Sequence, residues 1–82
     1  MQKIHIQIDK PLQTCQRWQF SYRTYRRRIA AGLLPPPIGR GIPSGENSLL
    51  IAAANAGADD ETLRRMVKEI VAARPSLAAS SV

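Results

Sequence analysis

The stretch from Ser21 to Ile38 leaves this chain few ways to fold. It opens on a serine whose hydroxyl can accept a first-turn backbone N–H that has no partner inside a helix. It runs to Gly32, which can take the left-handed conformation that closes a helix. Pro35, Pro36 and Pro37 then forbid any continuation and stiffen an extended segment to Ile38. Between these limits Tyr22, Tyr25 and Ile29 fall at i, i+3 and i+7, so they share one helical face. Arg23 and Arg27 point the opposite way, with Arg26 and Arg28 on the flanks. The spacing therefore predicts a short cationic helix over about 22–31.

Those arginines have no acid at i±4, so each close pair repels by a few tenths of a kcal/mol. A partner anion would remove that repulsion, and the charge distribution points the same way. Residues 1–40 carry eight Lys or Arg against Asp9 alone, a net +7, whereas residues 41–82 carry a net −1. A basic first half suits a polyanion, and a near-neutral second half suits scaffold or assembly.

The stretch resembles the AlpA family of small phage and prophage DNA-binding proteins, which includes several excisionases. The residues that carry the resemblance are Ser21, Thr24, Tyr25, Arg27, Ile29, Gly32, Leu34 and Pro35, and it extends more loosely through 56–63 to 72–75. It covers about residues 12 to 75. The chain departs from the family at Arg26, where a tyrosine is usual, and lacks the tryptophan that follows the wing, between Ile38 and Leu49. The resemblance implies a mainly α, single-domain winged helix-turn-helix with a small β component, whose second helix enters the major groove.

On that reading Arg23 and Thr24, near the start of the helix, are expected at base edges. Arg26 and Arg27 are expected at base edges or phosphate, and Arg28 and Arg40 at phosphate. Arginine suits both roles, through its bidentate fork onto guanine and through charge alone. The implied function is excisionase-like: bending attachment-site DNA and steering an integrase partner toward excision, from the cytoplasm and nucleoid of a bacterial host. A prophage transcriptional regulator of the AlpA type is the alternative within DNA binding. A non-catalytic module that captures an acidic partner protein is the alternative from another class.

The rest of the chain supplies the frame. Lys3 to Ile8 alternates polar and apolar residues, which predicts a half-buried strand broken by Asp9, Lys10 and Pro11. A first helix is expected from Leu12 to Gln19, with Leu12, Cys15 and Trp18 or Gln19 facing inward and Phe20 plugging the turn. Gly39, Arg40 and Gly41 predict a turn or short wing, and Ser44 is expected to cap a helix over about 45–56. Asp59 is expected to cap a last helix over about 59–74, stopped by Pro75, with 76–82 a flexible tail. In that helix Leu63, Met66, Val67, Ile70 and Val71 form one apolar stripe, while Arg64 and Arg65 are assigned to its outer half.

A basic strand ahead of helices also admits a ribbon-helix-helix, in which Lys3, His5 and Gln7 would read bases, but that architecture leaves the arginine helix and the three prolines unexplained. With 82 residues one domain and a small core are expected, residues 1–75 forming the DNA-binding unit. A single cysteine forbids an intrachain disulfide, and no acid–base pair, metal cluster or activated nucleophile is visible. No catalytic residue, metal, cofactor, small-molecule substrate or membrane partner is therefore expected. Double-stranded DNA is, together with self-association of neighbouring copies on it, because one short helix reads too few base pairs for selectivity.

Overall fold

In the computed structural model, residues 7–80 are described, with side chains through Arg74. The order is β1 (Ile8–Asp9), α1 (Pro11–Trp18), α2 (Tyr22–Ala30), β2 (Ile42–Pro43), α3 (Ser44–Asn55) and α4 (Asp60–Ser80). Four helices thus accompany a two-stranded antiparallel sheet in which Ile8 faces Pro43 and Asp9 faces Ile42. One core forms between them from Cys15, Tyr25, Leu33, Leu34, Ile42, Leu50, Leu63 and Val67. Leu34 and Leu33 reach it because the prolines that follow hold the chain extended across the body.

Local signals account for most boundaries. Ser21 accepts the Thr24 N–H at 3.1 Å, and Asp59 accepts the Thr62 N–H at 2.8 Å. At the end of α2, Leu33 N–H donates to the Arg28 carbonyl at 2.8 Å and Gly32 N–H to the Ile29 carbonyl at 3.2 Å. Gly32 stands at φ +77°, a conformation that glycine adopts without the clash a Cβ would bring. The same closure ends α1, where Phe20 N–H donates to the Cys15 carbonyl at 3.1 Å, but there Gln19 holds φ 62°. A side chain in that region is strained, so Gln19→Gly should raise stability by about 0.5 kcal/mol once the freer unfolded chain is allowed for. Chemical denaturation of the two chains reads this directly, and a lower midpoint for the glycine variant would refute it.

Four expectations are corrected. The strand lies at Ile8–Asp9 and not up to Ile8 with Asp9 as a breaker, because the Asp9 side chain is drawn inward; Lys3 to Ile6 lie outside the described residues. It pairs with β2 of its own chain. In α1 the inward residues are Thr14, Cys15 and Trp18, while Leu12 is 69 % exposed; the helix turns so that Thr14 can accept a hydrogen bond from Asn47. Ser44 does not cap α3: its hydroxyl donates to Asp9 at 2.8 Å, and Pro43 occupies the cap position without a side-chain bond. Finally, α4 continues past Pro75 to Ser80, which takes in most of the segment expected as a tail. A proline removes one backbone donor from a helix, but the bonds on either side can carry the helix through. The apolar stripe of α4 does face the core, with Leu63 and Val67 buried and Met66, Ile70 and Val71 packed against it.

Beneath the sheet sits a polar knot that ties β1, α1 and α3 together. Asp9 receives hydrogen bonds from Ser44, Asn47 and Arg17. Asn47, fully buried, also donates to Thr14 at 3.0 Å and accepts the Trp18 indole N–H at 3.2 Å. Arg17 adds bonds to the Ser44 carbonyl at 3.2 Å and the Ser48 hydroxyl at 2.6 Å. A buried polar group is tolerated when each donor and acceptor finds a partner, as these do.

Candidate nucleic-acid interface

The candidate surface is the outer side of α2. No acidic residue stands in this helix, and its last turn carries Arg27 and Arg28, where cations are favoured by the negative helix end. The inner side is held by α1: Tyr25 is buried and Ile29 packs on the core, while Tyr22 stacks on Tyr25 at 5.6 Å but stays 49 % exposed. Arg23, Arg26 and Arg27 are exposed and make no side-chain hydrogen bond or ion pair among the described residues. Thr24 is half-buried, and its hydroxyl accepts from Ser21 at 3.1 Å, so it lies at the helix start beside Arg23.

The other arginines divide by partner. Arg17 belongs to the polar knot, and Arg74 reaches from α4 to Glu46 and, at 2.8 Å, to the Pro36 carbonyl. Arg28, expected at phosphate, is half-buried. Its guanidinium lies 5.2 Å from the Trp18 ring centre and 5.7 Å from that of Phe20, and its Nε is buried without a partner. Trp18 and Phe20 stack on each other at 5.8 Å, so Arg28 lies against an aromatic pair in a cation–π contact of about 0.5–1 kcal/mol or more. Phe20 therefore serves as more than a plug: it gives α2 a seat. The signal for this was present in the four-residue step from Tyr25 to Ile29, which leaves Arg28 beside the buried face, but the aromatic partners come from α1 and the turn that follows it.

Arg40 lies exposed in a tight turn, where Ile38 and Gly41 bridge through hydrogen bonds of 2.7 and 3.3 Å. The turn is thus the tip of a short antiparallel ribbon that continues into β2 and its pairing with β1. Arg40, like the three free arginines of α2, has no side-chain partner among the described residues.

A shallow recess of about 560 Å³ adjoins the start of α2, lined by Leu12 and Gln16 of α1 and by Gln19, Phe20 and Tyr22. It holds no acid or base that could activate a nucleophile, and burial pushes the Cys15 thiol at its floor up, away from the reactive thiolate. Among the described residues no group of three or more His, Cys, Asp or Glu is placed to hold a metal ion, and no helix is long and apolar enough to cross a membrane. Comparison with protein-family models, curated proteins and solved structures gives no match to this chain.

Proposed function

We propose that this protein binds duplex DNA as a winged helix-turn-helix, with α1 and α2 as the helix pair and the ribbon around Arg40 as the wing. One observation carries the reading. Arg23, Arg26 and Arg27 share the outer side of an acid-free helix and stand free, whereas Arg17 and Arg74 are neutralised by Asp9 and Glu46. Three like charges left exposed together raise the free energy of the isolated chain, and a phosphate backbone lowers it. The three-residue step from Gln19 to Ser21 between the helices, and a ribbon directly after α2, agree with that architecture.

The biological role we propose is excision: binding and bending attachment-site DNA so that an integrase runs toward excision. This step rests on the likeness of residues 12–75 to AlpA-type proteins, and prophage gene control is compatible with the same surface. Self-association on adjacent sites would supply the selectivity that one short helix lacks. The Leu63 stripe is less available for this than its sequence suggests, since its members pack on the core.

Titration of a duplex at several salt concentrations tests the reading. Neutralising about four to six phosphates should make log K fall with log salt at a slope of roughly −4 to −5. Arg23→Ala or Arg27→Ala should weaken binding to a preferred duplex by about 1–3 kcal/mol, and Arg65→Ala should leave it nearly unchanged. Equal losses from α2 and Arg65 would place the DNA surface elsewhere, and affinity that ignores salt would move the partner away from DNA. Capture of an acidic protein in place of a duplex would then become the better account.

A further inference from the structure

We infer that Arg64 is a positioning residue for α2: from α4 it fixes the attitude in which α2 presents Arg23, Arg26 and Arg27, without itself contacting nucleic acid. The inference rests on the DNA reading above. The sequence sets Arg64 on the outer half of α4, and it is exposed there, yet its guanidinium reaches the end of α2. The Arg64 Nε donates to the Ala31 carbonyl at 2.9 Å, across 33 residues of chain.

Ala31 is the residue that caps α2. The carbonyls of Arg28 and Ile29 are closed by the backbone of Leu33 and Gly32, as described above. The Ala31 carbonyl has Arg64 as its hydrogen-bond partner among the described residues. A cation at this end also meets the negative pole of the helix. The stem of Arg64 lies over Gly32, close enough that a Cβ there would stand 3.9 Å from its Cγ. The remaining support of α2 comes chiefly from α1, through the Tyr25 contacts and the Arg28 seat on Trp18 and Phe20. A helix braced along one side can still tilt about that side. The tie at its end, drawn from a different helix, removes this freedom.

The consequence separates two kinds of contact. A bidentate fork onto a base edge demands close geometry, whereas phosphate attraction tolerates small shifts. Loss of the tie should therefore erode selectivity and leave the number of neutralised phosphates alone.

The experiment compares wild type, Arg64→Ala, Arg64→Lys and Arg65→Ala on two duplexes of equal length. One is the best binder recovered by wild type from a randomised pool, and the other is its scrambled sequence. Arg64→Ala should reduce the ratio of the two affinities about tenfold with an unchanged salt slope. The Leu33 amide, which closes α2, should exchange faster with solvent in the same variant. Arg64→Lys keeps a donor for the carbonyl and should restore most of the ratio, and Arg65→Ala should match wild type. A salt slope shallower by about 0.9 in Arg64→Ala would make Arg64 a phosphate contact and overturn the inference. An unchanged ratio would overturn it as well. Should wild type itself bind no duplex, the DNA reading fails and takes this inference with it, an outcome distinct from both.

Discussion

Replacement of Gly41 by alanine should cost about 3 kcal/mol or more. A Cβ on Gly41 would stand 2.0 Å from the Asp9 carbonyl oxygen, 2.8 Å from its carbon and 3.1 Å from Cγ2 of Ile8. The first two are backbone atoms of β1, so no side-chain rotation relieves the overlap. The strands would have to part, and their separation would drag Asp9 out of the knot formed with Ser44, Asn47 and Arg17. A domain of this size has a total stability of about 4–12 kcal/mol, so the loss would remove roughly a quarter to three quarters of it and lower the unfolding midpoint markedly. Urea denaturation followed by circular dichroism measures this. Gly45→Ala is the companion, because nothing lies within 4 Å of a Cβ there and the residue sits in the first turn of α3. Equal midpoints for the two variants would show that β1 and β2 do not approach at Gly41. If the sheet does open, the turn around Arg40 loses its anchor, and on the proposed reading duplex binding should fall with the fold.

Asn47→Ala should destabilise the fold by about 2–4 kcal/mol, because it strands several buried groups at once. The Trp18 N–H would lose its acceptor, Thr14 a donor and Asp9 one of its three donors. Asp9→Asn probes the same knot through charge. Burial pushes the Asp9 carboxyl up, but hydrogen bonds from Asn47, Ser44 and Arg17, with the Arg17 charge, outweigh it and hold the group below the ordinary 3.8. A folded pKa below the unfolded one means that Asp9 contributes stability in full above pH about 4, lost as pH falls through the folded value. The stability gap between wild type and Asp9→Asn should therefore be constant at neutral pH and shrink in acid. Asp59, whose carboxyl is also lowered by hydrogen bonds from Thr62, is present in both chains and cancels in the comparison. A gap independent of pH would show that the Asp9 carboxylate is not held in the knot. Since Trp18 is both a member of the knot and the seat of Arg28, Asn47→Ala should also loosen α2.

The free arginines of the candidate site were legible in the chain, and the engaged ones were not. Arg23, Arg26, Arg27 and Arg40 are free because no acid lies near them in sequence and none among the described residues pairs with them. Arg28 follows Arg26 and Arg27 in the same helix and shares their chemistry, yet it rests on Trp18 and Phe20. A helical wheel places it on a flank, and only the docking of α1 decides whether that flank meets solvent or an aromatic ring. Arg64 shows the same division on α4, where the i, i+3, i+4 stripe is read correctly while the single residue beside it bonds to a carbonyl 33 positions away.

What the sequence determined by itself is therefore what acts over four or five residues. Ser21 and Asp59 start helices by satisfying N–H groups three positions on, Gly32 ends one through the backbone of its neighbours, and the stripe from Leu63 to Val71 faces inward. The tertiary structure alone decided the partners of Asp9, Arg17, Asn47, Arg64 and Arg74, which lie 27 to 38 residues away for all but the Asp9–Arg17 pair. It also decided that Ser44 serves a carboxylate in place of a helix end and that α4 runs on through Pro75. The physical reason is one of range. A cap or a turn is set by bond geometry within a few residues, whereas the choice of a distant partner depends on how whole helices dock, and many sequences with the same local pattern would dock differently.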